Sequence, residues 1–220
     1  MKICVTGSSN LGKTTYIRDF LKKWPMYTTP EKSYRDVIEE KNLIINENGS
    51  EESQKIILDA LIDQCTAHSK DDMVIFDRCV LDNLAYTSWL HINDKVSKKF
   101  LDTTRDIVQE CLKLYDLLFF FPITKFSEIA IESDGLRSTD PKYREEIDQL
   151  FKAFQTSYHS GDGRVFPTGE CPAMIEIFGN PEQRIALTSL YITKDGTHYG
   201  DEDSLMSDIT MPPEKSIIVP

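Results

Sequence analysis

The first fifteen residues constrain this chain more than any other stretch. An apolar run, Ile3-Cys4-Val5-Thr6, leads straight into Gly7-Ser8-Ser9-Asn10-Leu11-Gly12-Lys13-Thr14-Thr15. The pattern is G-x-x-x-x-G-K-T between a strand-like segment and a helix-like one, since Tyr16, Ile17, Phe20 and Leu21 recur at helical spacing. A Gly-rich turn that binds nothing has no use for Lys-Thr at its end. A phosphate site does: backbone N–H groups cradle the oxygens, the Lys reaches the terminal phosphates, and the Thr hydroxyl can ligate a divalent cation. Gly7, Ser8, Ser9, Asn10, Leu11, Gly12, Lys13, Thr14 and Thr15 are therefore candidate nucleotide contacts. Average composition makes a chance occurrence of the pattern rare in a chain of 220 residues.

What surrounds the loop points to an α/β fold. Apolar runs at 2–6, 73–76, 117–121 and 174–178 are nearly continuous rather than alternating, as expected of parallel strands buried on both faces. A fifth strand is expected near 25–29. Helical patterns fill the intervals, at 13–24, 51–67, 96–113, 142–158 and 181–191. The last opens with Asn180 as N-cap and Pro181 at the first helical position. Strands alternating with helices imply three layers, a parallel sheet with helices on both faces. Residues 1–193 read as one domain and 194–220 as a peripheral tail, with a hairpin turn expected at Lys194-Asp195-Gly196-Thr197.

Charge narrows the partners. The formal net charge is −11, whereas a protein that grips long nucleic acid carries a basic face. A small phosphorylated partner held by a few Arg and Lys suits the composition better than a polynucleotide. Five scattered cysteines with no C-x-x-C pair, and only four His, argue for reduced thiols and against zinc. No apolar run approaches bilayer length, and the first strand starts at once, so neither a membrane span nor a signal peptide is expected. The expected location is the cytoplasm, that of the host if the source is viral. A homodimer stays open.

Further constellations carry chemistry. Met73-Val74-Ile75-Phe76-Asp77-Arg78 is an apolar strand ending in Asp, the pattern that sets Mg²⁺ beside a phosphate loop. Arg78 reads as a cation facing an acceptor, or else as half of a surface ion pair. Asp82 and Tyr86, four residues apart, share a helix face that lines the acceptor pocket or meets solvent. After the expected second strand, Glu31 is a candidate general base and Arg35 an anion binder. The competing reading of Glu31 is capping, with Thr29 as N-cap and Pro30 at the first helical position. Residues 133–144 read as a lid whose cations neutralise a transferring phosphoryl group, Arg137 first, then Arg144 and Lys142. Solvated charges at a helix entrance are the alternative. Gly179 and Asn180, after the last strand, are candidate contacts for adenine by fold-level analogy.

Taken in order, GSSNLGKTT, TPEKSYRDVI, VIFDRCVLDNLAY, SDGLRSTDPKYREEID and IFGNPEQR resemble the P-loop kinases. The set looks like the AAA-type ATPase and kinase group that includes the nicotinamide riboside kinase domain and many phage-encoded nucleotide kinases. It is more distantly similar to thymidylate and deoxynucleoside kinases. The resemblance covers about residues 1–190. It implies a P-loop NTPase fold with a five-stranded parallel sheet and a helical lid, and Mg·ATP as phosphate donor. By the same resemblance Lys13, Thr14, Asp77, Arg78 and Arg137 take the family's phosphate, metal, acceptor and lid roles. The segment 31–69 matches no motif for one substrate. The expected activity is phosphoryl transfer to a nucleoside monophosphate, deoxynucleotides included; a nucleoside or nicotinamide riboside, a hydroxylated base in DNA, or a regulatory ATPase without acceptor are the alternatives.

Overall fold

The computed structural model of the chain describes residues 1–125, 138 and 140–199. Its centre is β1 (Lys2–Thr6), paired in parallel with β2 (Val74–Asp77) on one side and β3 (Leu117–Phe120) on the other. The fourth strand, β4 (Ala173–Glu176), joins β3, also in parallel, and the strand order is β2-β1-β3-β4. The expected fifth strand is reduced to a single bridge. Thr28 N–H donates to Met73 O at 2.9 Å and Thr28 O accepts from Ile75 N–H at 2.9 Å. Pro25 and Pro30 bracket this bridge, and neither has an N–H to extend a ladder. The sheet is therefore four-stranded, a correction to the five strands expected.

Both faces of the sheet are covered, which is why its strands are apolar without alternation. Ile3 and Val5 point to one face, with Ile75 and Phe119, and pack with Phe20 and Trp24. That side carries α1 (Lys13–Lys23) and α7 (Pro181–Thr188), which touch each other. Cys4 points to the other face, with Phe76, Leu118 and Phe120. There the cover is α3 (Glu51–Ala67), α4 (Val80–Ile92), α5 (Lys98–Leu112) and α6 (Pro141–Ser160). A short α2 (Tyr34–Glu40) lies against α3. The three-layer α/β arrangement agrees with the sequence pattern.

The chain after α7 returns to the end of α1. Thr193 N–H donates to Thr197 O at 2.8 Å, closing the expected hairpin turn around Gly196, whose φ is +79°. Trp24 Nε1 donates to Thr193 O at 2.8 Å, and the Tyr27 hydroxyl donates to Gly196 O at 2.6 Å. No helix among the described residues is long and apolar enough to cross a membrane.

Phe120 is fully buried and its ring stacks on Phe151 at a centroid distance of 5.7 Å. Phe120→Ala should lower the unfolding free energy by about 3–5 kcal/mol, read from urea denaturation.

Candidate active site

The loop between β1 and α1 is held open by its own carbonyl oxygens pointing outward. Gly7 O accepts from Lys13 Nζ at 2.9 Å and from Arg78 Nη1 at 3.1 Å. Ser8 O accepts a further bond from Lys13. Ser9 O accepts from Arg144 Nε at 3.3 Å and Nη2 at 3.2 Å, and Asn10 O from the same Nη2 at 3.4 Å. Leu11 O accepts from Arg184 Nη1 at 2.7 Å. With these carbonyls bound to cations, the loop's backbone N–H groups are the candidate cradle for phosphate. Gly12, in the left-handed region at φ +72°, caps α1 and supplies no side-chain acceptor for the first helical N–H groups. Gly7 is required for a different reason. Its φ is +131°, and a Cβ there would lie 2.5 Å from Phe121 O.

At the helix end of the loop, the Thr14 hydroxyl donates to Asp77 Oδ2 at 3.0 Å. The pairing of Val5 with Asp77 sets this carboxylate at the strand end beside the loop. Asp77 Oδ1 is buried and has no hydrogen-bond partner among the described residues. A hydroxyl and a carboxylate with an unfilled oxygen are hard donors, and they fit Mg²⁺.

Arg78 follows with φ +77°, an uncommon backbone conformation for a side chain of this size. The guanidinium is buried and its Nη1 pairs with Asp82 Oδ1 at 2.6 Å. Asp82 Oδ2 accepts from the Thr6 hydroxyl at 2.8 Å and from Cys79 N–H at 3.0 Å. Tyr34 and Tyr86 cover the guanidinium, at 5.4 and 5.6 Å from their ring centroids. Burial disfavours the charge of Arg78, but Tyr34, Tyr86, Asp82 and Asp77 outweigh it and hold its pKa above the usual value.

Beside Arg78 a cleft opens, enclosing about 620 Å³ including the part open to solvent. Its walls are apolar, with Ile38 from α2, Ile57 and Leu61 from α3, and Tyr86 from α4. Gln54 and Asn83 form a polar pair within it: Asn83 Nδ2 donates to Gln54 Oε1 at 3.0 Å and to Gln54 O at 2.9 Å. Ser9 of the phosphate loop, Arg35, Arg78 and Asp82 also line it.

Five residues singled out in the sequence, Ser9, Arg35, Arg78, Asp82 and Tyr86, thus meet at one cleft, and others do not. Glu31 is exposed and is not among the residues lining it. The helix starts later than the capping alternative requires: Ser33 N–H donates to Asp36 Oδ2 at 2.6 Å, so Ser33 and Asp36 cap α2 in place of Thr29 and Glu31. Arg144 grips the loop from behind rather than facing an acceptor, because α6 begins at Pro141 and carries it against Ser9 and Asn10. The side chain of Lys142 is 82% exposed. Arg137 lies outside the described residues. Gly179, at φ +92°, lines a second, apolar cleft with Phe178, Leu187 and Leu190. Asn180 is the N-cap of α7, accepting from Gln183 N–H at 2.9 Å. Arg184 ties this cleft to the phosphate loop, since its Nε donates to Gly179 O at 2.8 Å.

Tyr34, Gln54, Asn83 and Arg184 were not singled out by motif. Gln54 has a readable signal, because it shares a helix face with Ile57 and Leu61 and is a polar residue on an apolar stripe. Arg184 has none short of the fold.

A family model described as an AAA domain matches residues 2–160. No curated protein sequence matches the chain. Solved structures do. Deoxyadenosine kinase from M. mycoides, with dCMP and a flexible dCDP bound, superposes with a TM-score of 0.63 at 18% identity, over 86% of this chain and 96% of that one. The NadR protein in complex with NAD and AMP-PNP gives 0.61 at 12% identity, over 90% of this chain but 50% of that one. Thymidylate kinase from Candida albicans gives 0.55 at 15% identity, over 86% and 89%. The fold is therefore the one that P-loop nucleoside and nucleotide kinases share, as the motifs imply.

Gly7→Ala should cost about 1–3 kcal/mol through backbone strain alone, with the clash on Phe121 O added. Urea denaturation reads the loss.

Proposed function

The chain belongs to this AAA domain family, and from that premise we propose that it is an ATP-dependent phosphotransferase acting on a nucleoside monophosphate. One observation carries the reading. Ser9 is part of the phosphate loop, Arg78 is bonded to that loop through Gly7 O, and both line the apolar cleft, so a donor on the loop and an acceptor in the cleft would meet at these residues. The cleft joins apolar walls to a few convergent polar groups, the make-up of a small-molecule site. Two guanidinium groups, Arg35 and Arg78, line it in a chain of net charge −11, which favours an acceptor that is itself an anion. A hydroxyl acceptor without phosphate would call on Glu31 as base, and Glu31 stands outside the cleft lining.

Phosphoryl transfer asks the protein for position and charge neutralisation more than for covalent chemistry. In this reading the loop N–H groups hold the donor phosphates. The Lys13 ammonium exchanges the carbonyl oxygens of Gly7 and Ser8 for phosphate oxygens. Thr14 and Asp77 would hold Mg²⁺, which when bound neutralises charge on the β- and γ-phosphates. Arg78, fixed by Asp82, meets the acceptor phosphate. The apolar cleft at Gly179 takes the donor base, and the lid role belongs to Arg137.

The test is a transfer screen with γ-labelled ATP across nucleosides, nucleoside monophosphates and oligonucleotides. Label should enter a nucleoside diphosphate product. Label in nucleosides or oligonucleotides alone would reassign the acceptor, and hydrolysis that no acceptor stimulates would remove the transferase reading. Asp77→Asn should lower kcat by about 100-fold or more with the fold intact by circular dichroism.

A further inference from the structure

Tyr34 opens α2 with its hydroxyl between two arginines. The oxygen accepts from Arg78 Nε at 3.0 Å and from Arg35 Nε at 3.2 Å. Arg78 and Tyr34 are 44 residues apart in the chain, so the fold and not local sequence brings them together. A phenolic oxygen has two lone pairs, and here each takes one guanidinium. Both cations are thereby fixed in orientation by one atom. The Arg78 guanidinium is further clamped, covered by Tyr86 and paired with Asp82. Arg35 is held less: among the described residues only its Nε is hydrogen-bonded, and it lines the cleft.

The chemistry of the bridge is informative. A carboxylate in place of the phenol would join the two arginines by cancelling their charge. A neutral hydroxyl joins them without cancelling it. Two like charges held close repel, and the repulsion grows in a partly buried site. Asp82 offsets the charge of Arg78 at 2.6 Å, Asp77 acts on both guanidiniums only from a distance, and among the described residues no carboxylate pairs directly with Arg35. The charge of Arg35 remains for a ligand. A phosphate monoester, with three oxygens and a charge near −2, is the group whose geometry and charge two neighbouring guanidiniums match.

We propose that Tyr34 is a positioning residue that assembles Arg35 and Arg78 into one clamp for the phosphate of the acceptor. The identity of that ligand as an acceptor rests on the phosphotransferase reading; the clamp itself does not.

Calorimetry on the full chain separates the two. The probes are dAMP, dCMP, dGMP and dTMP, each against its own deoxynucleoside. The wild type should bind its best monophosphate about tenfold tighter than the matching nucleoside, as expected for hydrogen bonds to a charged group. Tyr34→Phe keeps the ring and removes the bridge. It should cut that ratio to about threefold or less with the nucleoside affinity unchanged. Arg35→Gln should do at least as much, and the double variant should lose nothing beyond Arg35→Gln, because the two residues act as one unit. In turnover, the KM for the monophosphate should rise in Tyr34→Phe with kcat kept within about threefold. A wild type that does not distinguish monophosphate from nucleoside overturns the clamp. So does a Tyr34→Phe variant that keeps the full ratio, or a double variant that loses the sum of both effects. Absence of phosphoryl transfer alongside the expected binding ratios overturns the functional reading and supports the clamp.

Discussion

The phosphate loop keeps its shape because cations hold its carbonyl oxygens from outside. Arg78 at the end of β2, Arg144 of α6 and Arg184 of α7 reach it from three elements and take the carbonyls of Gly7, Ser9, Asn10 and Leu11 between them. A buried carbonyl without a donor costs free energy, so each bond both satisfies a backbone group and fixes which way its peptide faces. The same bonds explain why buried cations are tolerated there. Arg144 and Arg184 are pushed below their ordinary pKa by burial, and backbone oxygens supply the partners that carboxylates would otherwise provide. A loop rimmed by carbonyls and closed by guanidiniums leaves its interior electropositive in a chain of net charge −11.

Arg78 is where the two halves of the site join. The β2 strand ends at Asp77, and the left-handed turn at Arg78 sends the chain away into α4. Glycine would accept that backbone more easily. The side chain repays the strain by binding Gly7 O on the loop side and Asp82 and Tyr34 on the cleft side. Thr6 holds Asp82 in turn, so the last residue of β1 also orients the cation that crosses between loop and cleft. A buried Arg–Asp pair of this kind contributes little net stability, and what it supplies here is orientation.

Much of this was legible in the residues alone, and the reasons for the rest are physical. The strands were readable because a sheet covered on both faces must be apolar throughout, and the phosphate loop because few geometries need Gly, Lys and Thr in that order. The strand expected near 25–29 is weakly signalled and shrinks to one bridge, because the flanking prolines remove the ladder's donors. Glu31 was misplaced because capping is decided by which side chain reaches the free N–H groups, and Ser33 with Asp36 reached them instead. Arg144 was picked out for its charge but given the wrong neighbour, since a helix pattern says which residues share a face and not what that face meets. Arg184 was invisible: its role depends on two carbonyls, one of them 173 residues away.

That distance bears on how the protein comes into being. The glycine-rich turn is synthesised well before the guanidinium that secures Leu11, which follows 173 residues later. Arg144 arrives hardly sooner. A nascent chain therefore carries the recognisable motif through that interval without the means to hold it in shape. Contacts of such sequence separation form late and close a long loop. A product truncated before α7 would carry the sequence signature of the loop without the cation that secures Leu11.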